Sequence, residues 1–284
     1  MKLLALVVGA GGQLGGAMEA QLSVRHTVVA RTRQELDVAS SDEIREAVTT
    51  ICPDVIINCS AYTNVDAAQS HPLAALSVNA WAVRSLARAA AEIDATFVHF
   101  STDFVFDGTT DRPYREDDPP NPRSTYAMSK LLGEWLAAEA PRHYVLRVES
   151  LFGGQRARSS VDRILDGIAA DTEVRAFSDR TVSPSFVDDV VGATSHLLTH
   201  EAPFGVYHCV NSGSTTWMGL ATEAARLLGR PAARITPITM ADAALVAPRP
   251  QFAALDNTRL ADAGFVMPSW QDALARYVED RRGA

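Results

Sequence analysis

In the stretch STYAMSK, Tyr126 and Lys130 stand four residues apart in a chain whose 26 basic residues include lysine only at Lys2 and Lys130. Arginine supplies the rest of the positive charge, so an interior lysine marks a task for a compact cation of adjustable proton affinity. Positions i and i+4 of a helix share a face. There an ammonium can stabilise a phenolate, and a phenol that is otherwise a poor proton donor at neutral pH becomes usable. Upstream, VHFSTDFVFDG ends a strand-like run in Ser101 and Thr102. A hydroxyl, a phenol and a lysine form an acid–base relay suited to reducing a carbonyl.

Such a relay needs a hydride source, and VVGAGGQLGG offers a place for one. Gly9, Gly12 and Gly15 fall at a G-x-x-G-x-x-G spacing between an apolar run and a helical pattern. Glycines there allow a tight strand-to-helix turn and bring the backbone, with the helix N-terminus, close to a pyrophosphate. An acidic residue at the end of the second strand commonly marks NAD, yet VVARTRQELD carries Arg31 and Arg33 in that region. Guanidinium pairs well with a 2′-phosphate, so NADP(H) is preferred and NAD(H) stays possible. The bland alternative makes both arginines a solvated strand end.

The elements that must position these residues read as an alternation of short β-rich runs and longer helical patterns. LLALVV, TVVA, DVIIN, TFVHF and YVLRV are expected strands, and Pro72 to Ile93 is expected as one long helix opened by its proline. The pattern predicts an α/β doubly wound parallel sheet, Rossmann-like, with a smaller α/β C-terminal substrate lobe. Residues 1–150, with return segments near 186–212, are expected to form the dinucleotide domain. The lobe is expected from about 151–185 and 213–284. There GVYHCV reads as a late strand for the sheet and SWQDALARYVEDRR as a terminal amphipathic helix.

Composition excludes several classes. With 47% hydrophobic and 21% charged residues the chain reads as globular, and its net charge of −8 opposes nucleic-acid binding. The opening MKLLALVVGA runs straight into the glycine turn, so a buried strand explains it better than a signal peptide, and no run reaches membrane-spanning length. Cys52, Cys59 and Cys209 lack metal-ligand spacing, and the 7 histidines form no H-x-x-x-H pattern. Buried thiols in a cytoplasmic protein and no metal are expected. The acidic stretch Asp111 to Asp118 reads as a solvated loop.

The glycine loop, NCSAYTNVDAA, STDFVFDG, YAMSKLLGE and SPSFVDDV, in this order, resemble the extended short-chain dehydrogenase/reductase family and, more closely, its dTDP-4-dehydrorhamnose reductases. The resemblance implies that NADPH delivers hydride to C4 of a nucleotide-linked 4-keto-6-deoxysugar, yielding dTDP-L-rhamnose or a related sugar. By the same resemblance Tyr126 is the proton donor, Lys130 its partner on phenol and ribose, and Thr102 the hydroxyl that orients the carbonyl. Gln13 and Leu14 fall in the cofactor loop, Asp37 and Val38 on the adenine side, and Ser60, Ala61 and Tyr62 against the cofactor. Thr63, Val65, Asp103 and Phe104 fall on the sugar side, and Arg249 at the nucleotide end. Asp103 can equally be a turn-capping residue.

Departures from the family pattern gather at the sugar. RVESLFGG has Ser150 where a tryptophan often lines the pocket, and RPQFAALDN has Phe252 and Ala253 where Asn and Ser commonly follow Arg-Pro. The implied partner is a nucleotide sugar, with no nucleic acid or membrane, and the assembly a monomer or homodimer. An epimerase or dehydratase on the same fold stays open, although dehydratases usually show TDE where this chain has TDF. A nonenzymatic regulatory subunit holding the cofactor as a structural ligand is the remaining alternative.

Overall fold

The computed structural model describes residues 2–155, 159–230 and 233–283. Its first half runs β1 (Leu4–Val8), α1 (Gln13–Leu22), β2 (Thr27–Arg31), α2 (Ser41–Ile51), β3 (Val55–Asn58), α3 (Val65–Ser70), α4 (Pro72–Leu76), α5 (Ala82–Glu92), β4 (Thr96–Thr102), α6 (Thr125–Ala137) and β5 (His143–Val148). The second half runs β6 (Leu151–Phe152), α7 (Ser160–Ala169), β7 (Val174–Phe177), β8 (Thr181–Val182), β9 (Ser185–Phe186), α8 (Val187–Thr199), β10 (Gly205–His208), β11 (Thr215–Thr216), α9 (Trp217–Leu227), β12 (Ile235–Ile238), α10 (Thr258–Asp262) and α11 (Trp270–Gly283).

Six strands form one parallel sheet in the order β10-β5-β4-β3-β1-β2. Residues on a strand alternate between its faces, and both faces here are apolar. Ala5 and Val7 pack with Met18 of α1 and Val190 of α8, whereas Leu6 and Val8 pack with Ile44 and Val48 of α2 and Leu86 of α5. Each such side chain, fully buried, contributes about 1.5–3 kcal/mol. The chain turns one way from β1 to β2 and the other way from β3 onward. The resulting switch point lies at the C-terminal ends of β1 and β3, where open α/β sheets bind ligands.

A further core joins Phe152, Ile164 and Leu165 of α7, Val174 of β7, Leu220 of α9 and Leu274 of α11. GVYHCV supplies β10, which extends the sheet beside β5. The tail does not stay in the lobe throughout, because Leu260 and Met267 pack into the sheet's own core before α11 returns.

Two expectations change. The long helix is interrupted, since a π-helical turn over Ser77–Trp81 separates α4 from α5. That turn carries Asn79, whose buried amide bonds the backbone of Tyr62 in both directions, at 2.8 and 3.0 Å, and the Ser129 hydroxyl at 3.0 Å. Satisfying three polar partners inside the core gives the widened turn a structural purpose. Nor are all three thiols buried: Cys52 is exposed, in a left-handed conformation at the C-cap of α2.

Candidate active site

Gly9 has φ +81°, and a Cβ there would lie 2.7 Å from the Ser60 nitrogen. At Gly15 a Cβ would lie 2.3 Å from the Gly9 carbonyl oxygen. Only glycine lets the first turn lie so close to the third strand and to its own helix. The Gly9 and Ala10 amides donate to the Arg31 carbonyl at 2.9 and 3.0 Å, pinning the loop to the end of β2. The N-cap Gly12 leaves the start of α1 without a capping side chain. The amides of a helix N-terminus, in a cradle that side chains cannot enter, fit a dinucleotide pyrophosphate.

Beside this cradle lies a cleft of about 690 Å³. Gly9, Gly12, Ser60, Ala61 and Tyr62 line one part of it. Arg33, Asp37 and Val38 line the other, so the structure gathers most of the expected cofactor residues on one surface. Others stand apart. Leu14 is buried in the core under α1, and Gln13 sends its amide to the Gly153 carbonyl at 2.8 Å. Arg31 bonds its own neighbour, the Ala30 carbonyl, at 3.3 Å, leaving Arg33 as the strand-end arginine on the cleft.

Helix α6 starts after its N-cap Ser124, whose hydroxyl accepts the Ala127 amide, an arrangement worth about 1 kcal/mol. It is locked to the sheet by Glu134. That buried carboxylate takes two bonds from Arg147 of β5, at 2.9 and 2.8 Å, and one from the Ser101 hydroxyl at 2.5 Å. The lock fixes which residues of α6 face the end of β4.

Tyr126 lies beside Thr102, close enough for that hydroxyl to act on its phenol, and its ring meets the edge of Phe104 at 5.6 Å. Burial raises its phenol well above the ordinary value, the Asp103 charge adds to this, and Thr102 opposes it. Lys130 lies deeper than the relay reading assumes. Its Nζ donates to the Phe100 carbonyl at 2.5 Å and lies 3.3 Å from His99 Nε2, while burial draws its pKa down to about 8 against a smaller upward pull from Glu134.

On the other side of Thr102 lies a cluster that sequence reasoning only half anticipated. The Thr102 hydroxyl donates to Asp103 Oδ1 at 2.9 Å, and Glu149 Oε2 accepts the Ser183 amide at 2.6 Å. Their second oxygens, Asp103 Oδ2 and Glu149 Oε1, are the buried side-chain atoms without a hydrogen-bond partner among the described residues. Burial pushes both carboxyls up, Asp103 to about 6 and Glu149 well above its ordinary value, and the Asp103 charge adds to the shift at Glu149. Buried Arg180 opposes both shifts, and its guanidinium lies 5.5 Å above the Phe104 ring.

Thr63 is exposed, Val65 opens α3, and Phe104 is half-buried against Tyr126. Arg249 is held by Asp66, at 2.8 and 2.9 Å, with the Asp66 carboxyl lowered to about 2 chiefly by that contact. This pair ties the late loop to α3. A second cavity of about 410 Å³ is lined instead by Arg163, Arg175, Arg180, Phe177 and Trp217. Ser150 has φ +46° in the turn between β5 and β6, Phe252 bridges to Thr181, and Ala253 is buried.

Asn79, His99, Glu134, Glu149 and Arg180 were not anticipated. Glu134 alone had a readable signal, a carboxylate one helical turn past Lys130 on the same face. Among the described residues no group of three or more His, Cys, Asp or Glu side chains is placed to hold a metal ion, and no helix is long and apolar enough to cross a membrane.

The chain matches the family described as "RmlD substrate binding domain" over residues 1–282. It is 36% identical, over 95% of its length and 91% of the relative's, to a dTDP-4-dehydrorhamnose reductase of Streptomyces griseus. A protein of Streptomyces antibioticus named a probable dTDP-4,6-dihydroxy-2-methyloxan-3-one 4-ketoreductase is 34% identical over 98% and 99% of the two chains. The crystal structure of dTDP-4-dehydrorhamnose reductase from Bacillus anthracis in complex with NADP superposes with a TM-score of 0.94 at 28% identity, covering 99% of this chain and 100% of that one. By its sequence, its parallel sheet and its glycine cradle, the chain belongs to the RmlD substrate binding domain family of extended short-chain dehydrogenase/reductases.

Proposed function

We propose that this chain is an NADPH-dependent reductase of a nucleotide-linked 4-keto-6-deoxysugar, acting as a dTDP-4-dehydrorhamnose reductase that forms dTDP-L-rhamnose. The observation that carries the reading is the meeting of Tyr126 with Thr102 at the C-terminal edge of β4, beside a glycine-built cradle. When bound, a reduced nicotinamide supplies the hydride. Gly9, Gly12 and Gly15 would hold its pyrophosphate end, Ser60, Ala61 and Tyr62 would border it, and Asp37 and Val38 would lie toward the adenine. Exposed Arg33 supports NADP(H) over NAD(H), because a guanidinium on the cleft rim can pair with a 2′-phosphate.

Within the protein, Thr102 orients the carbonyl oxygen and Tyr126 gives it a proton. Lys130 supports the centre from below, and the raised phenol keeps its proton until the carbonyl oxygen becomes basic. Residues 1–150 with 186–212 serve the dinucleotide, and 151–185 with 213–284 serve the sugar. The second cavity, with three arginines and Trp217, suits a diphosphate and a base, so Arg249 acts by holding the late loop rather than by touching the nucleotide. Thr63, Val65, Asp103 and Phe104 border the sugar. Exposed Trp81, Met128 and Trp135 favour the homodimer over the monomer in this reading, which places the enzyme in the cytoplasm.

The test is NADPH oxidation with dTDP-4-keto-6-deoxy-L-mannose beside other 4-ketosugars, repeated with NADH. Turnover with NADPH, lost in Tyr126→Phe while cofactor binding persists, is expected. Turnover without added NADPH, with tightly held oxidised cofactor in the purified protein, would falsify net reduction in favour of an epimerase or dehydratase. Small Ser150 in its left-handed turn favours a second reading, in which another dTDP-4-ketosugar is preferred, and the same panel ranks the two.

A further inference from the structure

Three buried side chains under the reaction centre, with half-buried Ser60, form a chain of hydrogen bonds whose direction can be worked out from one backbone amide. The Ser60 N–H donates to Asn58 Oδ1 at 3.1 Å, and the Ser60 hydroxyl reaches the same oxygen at 2.6 Å. The Asn58 amide is thereby oriented, and its Nδ2, a donor only, faces His99 Nδ1 at 3.2 Å. Nδ1 must accept. His99 is wholly buried, and burial holds it well below its ordinary pKa, so the ring is neutral and its one proton sits on Nε2. That N–H points at Lys130 Nζ, 3.3 Å away, while Nζ itself donates to the Phe100 carbonyl at 2.5 Å.

An ammonium has three N–H donors and no lone pair. Facing His99 it would set donor against donor in a site closed off from bulk solvent. An amine closes the network: its lone pair accepts His99 Nε2–H, one N–H serves Phe100, and the other is left for a ligand hydroxyl. We propose that His99 is a positioning residue of the reaction centre that disfavours the ammonium form of Lys130 in the cofactor-free protein. The groups around Lys130 agree with this. Glu134, one turn on along α6, is already engaged by Arg147 and Ser101; Tyr126, one turn back, is neutral; His99 faces it from β4. Burial draws the lysine the same way, down to about 8.

The proposal deepens the reductase reading and rests on Lys130 belonging to that centre. Its consequence is that the ammonium able to acidify the phenol is held less firmly until the site is loaded, and the resting enzyme keeps Tyr126 as a phenol.

The scarcity of lysine makes the test direct. In a Lys2→Arg background, protein labelled with ¹⁵N and ¹³C in lysine carries one lysine, whose Nζ and Cε shifts are followed with pH without cofactor or substrate. The expected result is an amine with a midpoint at or below about pH 8, more than two units under ordinary lysine. An ammonium persisting beyond about pH 9 overturns the proposal. In His99→Phe the midpoint should rise by about one unit or more; an unmoved midpoint removes His99 from the explanation. Should that variant not fold, Asn58→Asp reverses the chain, making Nδ1 the donor and Nε2 the acceptor, and the midpoint should again rise. Imidazole ¹⁵N couplings in wild type report the tautomer, and Nδ1–H at His99 is equally fatal. Because these signals come from the free protein, an ammonium in an active reductase sinks only this proposal, and a chain inactive on every ketosugar sinks only the reductase reading.

Discussion

Lys130→Met is expected to stabilise the fold while stopping turnover. The lysine is 2% exposed, and its pKa falls from 10.5 to about 8 on burial. At 1.36 kcal/mol per unit, keeping an ionisable amine there costs about 3 kcal/mol at neutral pH. Methionine has nearly the same length and no charge to desolvate. Against this, the Phe100 carbonyl and His99 N–H lose a partner, returning about 1–2 kcal/mol. A net gain of about 1–2 kcal/mol remains at neutral pH. Because the folded-state value lies below the unfolded one, the unfolded chain binds the proton more readily. Wild-type stability therefore rises with pH between about 8 and 10.5, and the penalty is full below about 8. Urea denaturation of both proteins at about pH 7 and about pH 10 measures the difference free of groups they share. The advantage of the variant should be present at the lower pH and shrink or reverse at the higher. A difference that does not change with pH would refute the burial argument, whatever its sign.

Three further outcomes follow from the same geometry. Gly15→Ala places a methyl 2.3 Å from the Gly9 carbonyl oxygen, so cofactor affinity measured by fluorescence titration should fall at least about tenfold while the far core keeps its fold. Glu134→Ala strands Arg147, which is 4% exposed, and should cost about 3–5 kcal/mol in denaturant melts; a loss below about 1 kcal/mol would show that α6 is held otherwise. Glu149→Gln keeps the shape but removes a carboxyl whose folded pKa is raised. Such a group stabilises fully below its unfolded value and loses that contribution as pH rises, so the variant should gain on wild type at neutral pH and lose the gain near pH 4, a trend that melting curves across that range can deny.

Much of the fold was legible because its signals are local. The runs from LLALVV to YVLRV alternate with helical patterns, and each became a strand of the sheet, with GVYHCV joining as its edge. The π turn at Ser77–Trp81 was not legible, since Asn79 reads like any polar helix residue until Tyr62 and Ser129 are brought against it. The path of the tail escaped for a similar reason. Leu260 and Met267 return to the sheet's core because that surface is open to them, which no short pattern encodes.

The site divides along the same line. Residue identities at short spacing determined the glycine cradle, the Tyr126–Lys130 pair and the Thr102 hydroxyl, because a turn that admits no Cβ and a helix face four residues long are properties of neighbours in the chain. Ion-pair partners and proton ownership were decided only by the tertiary structure. Arg249 binds Asp66 across 183 positions, Glu149 lies within the electrostatic reach of Asp103 and Arg180, and His99 turns an N–H toward Lys130. Desolvation and hydrogen-bond direction depend on everything packed around a group. They exist only once distant segments have closed over it.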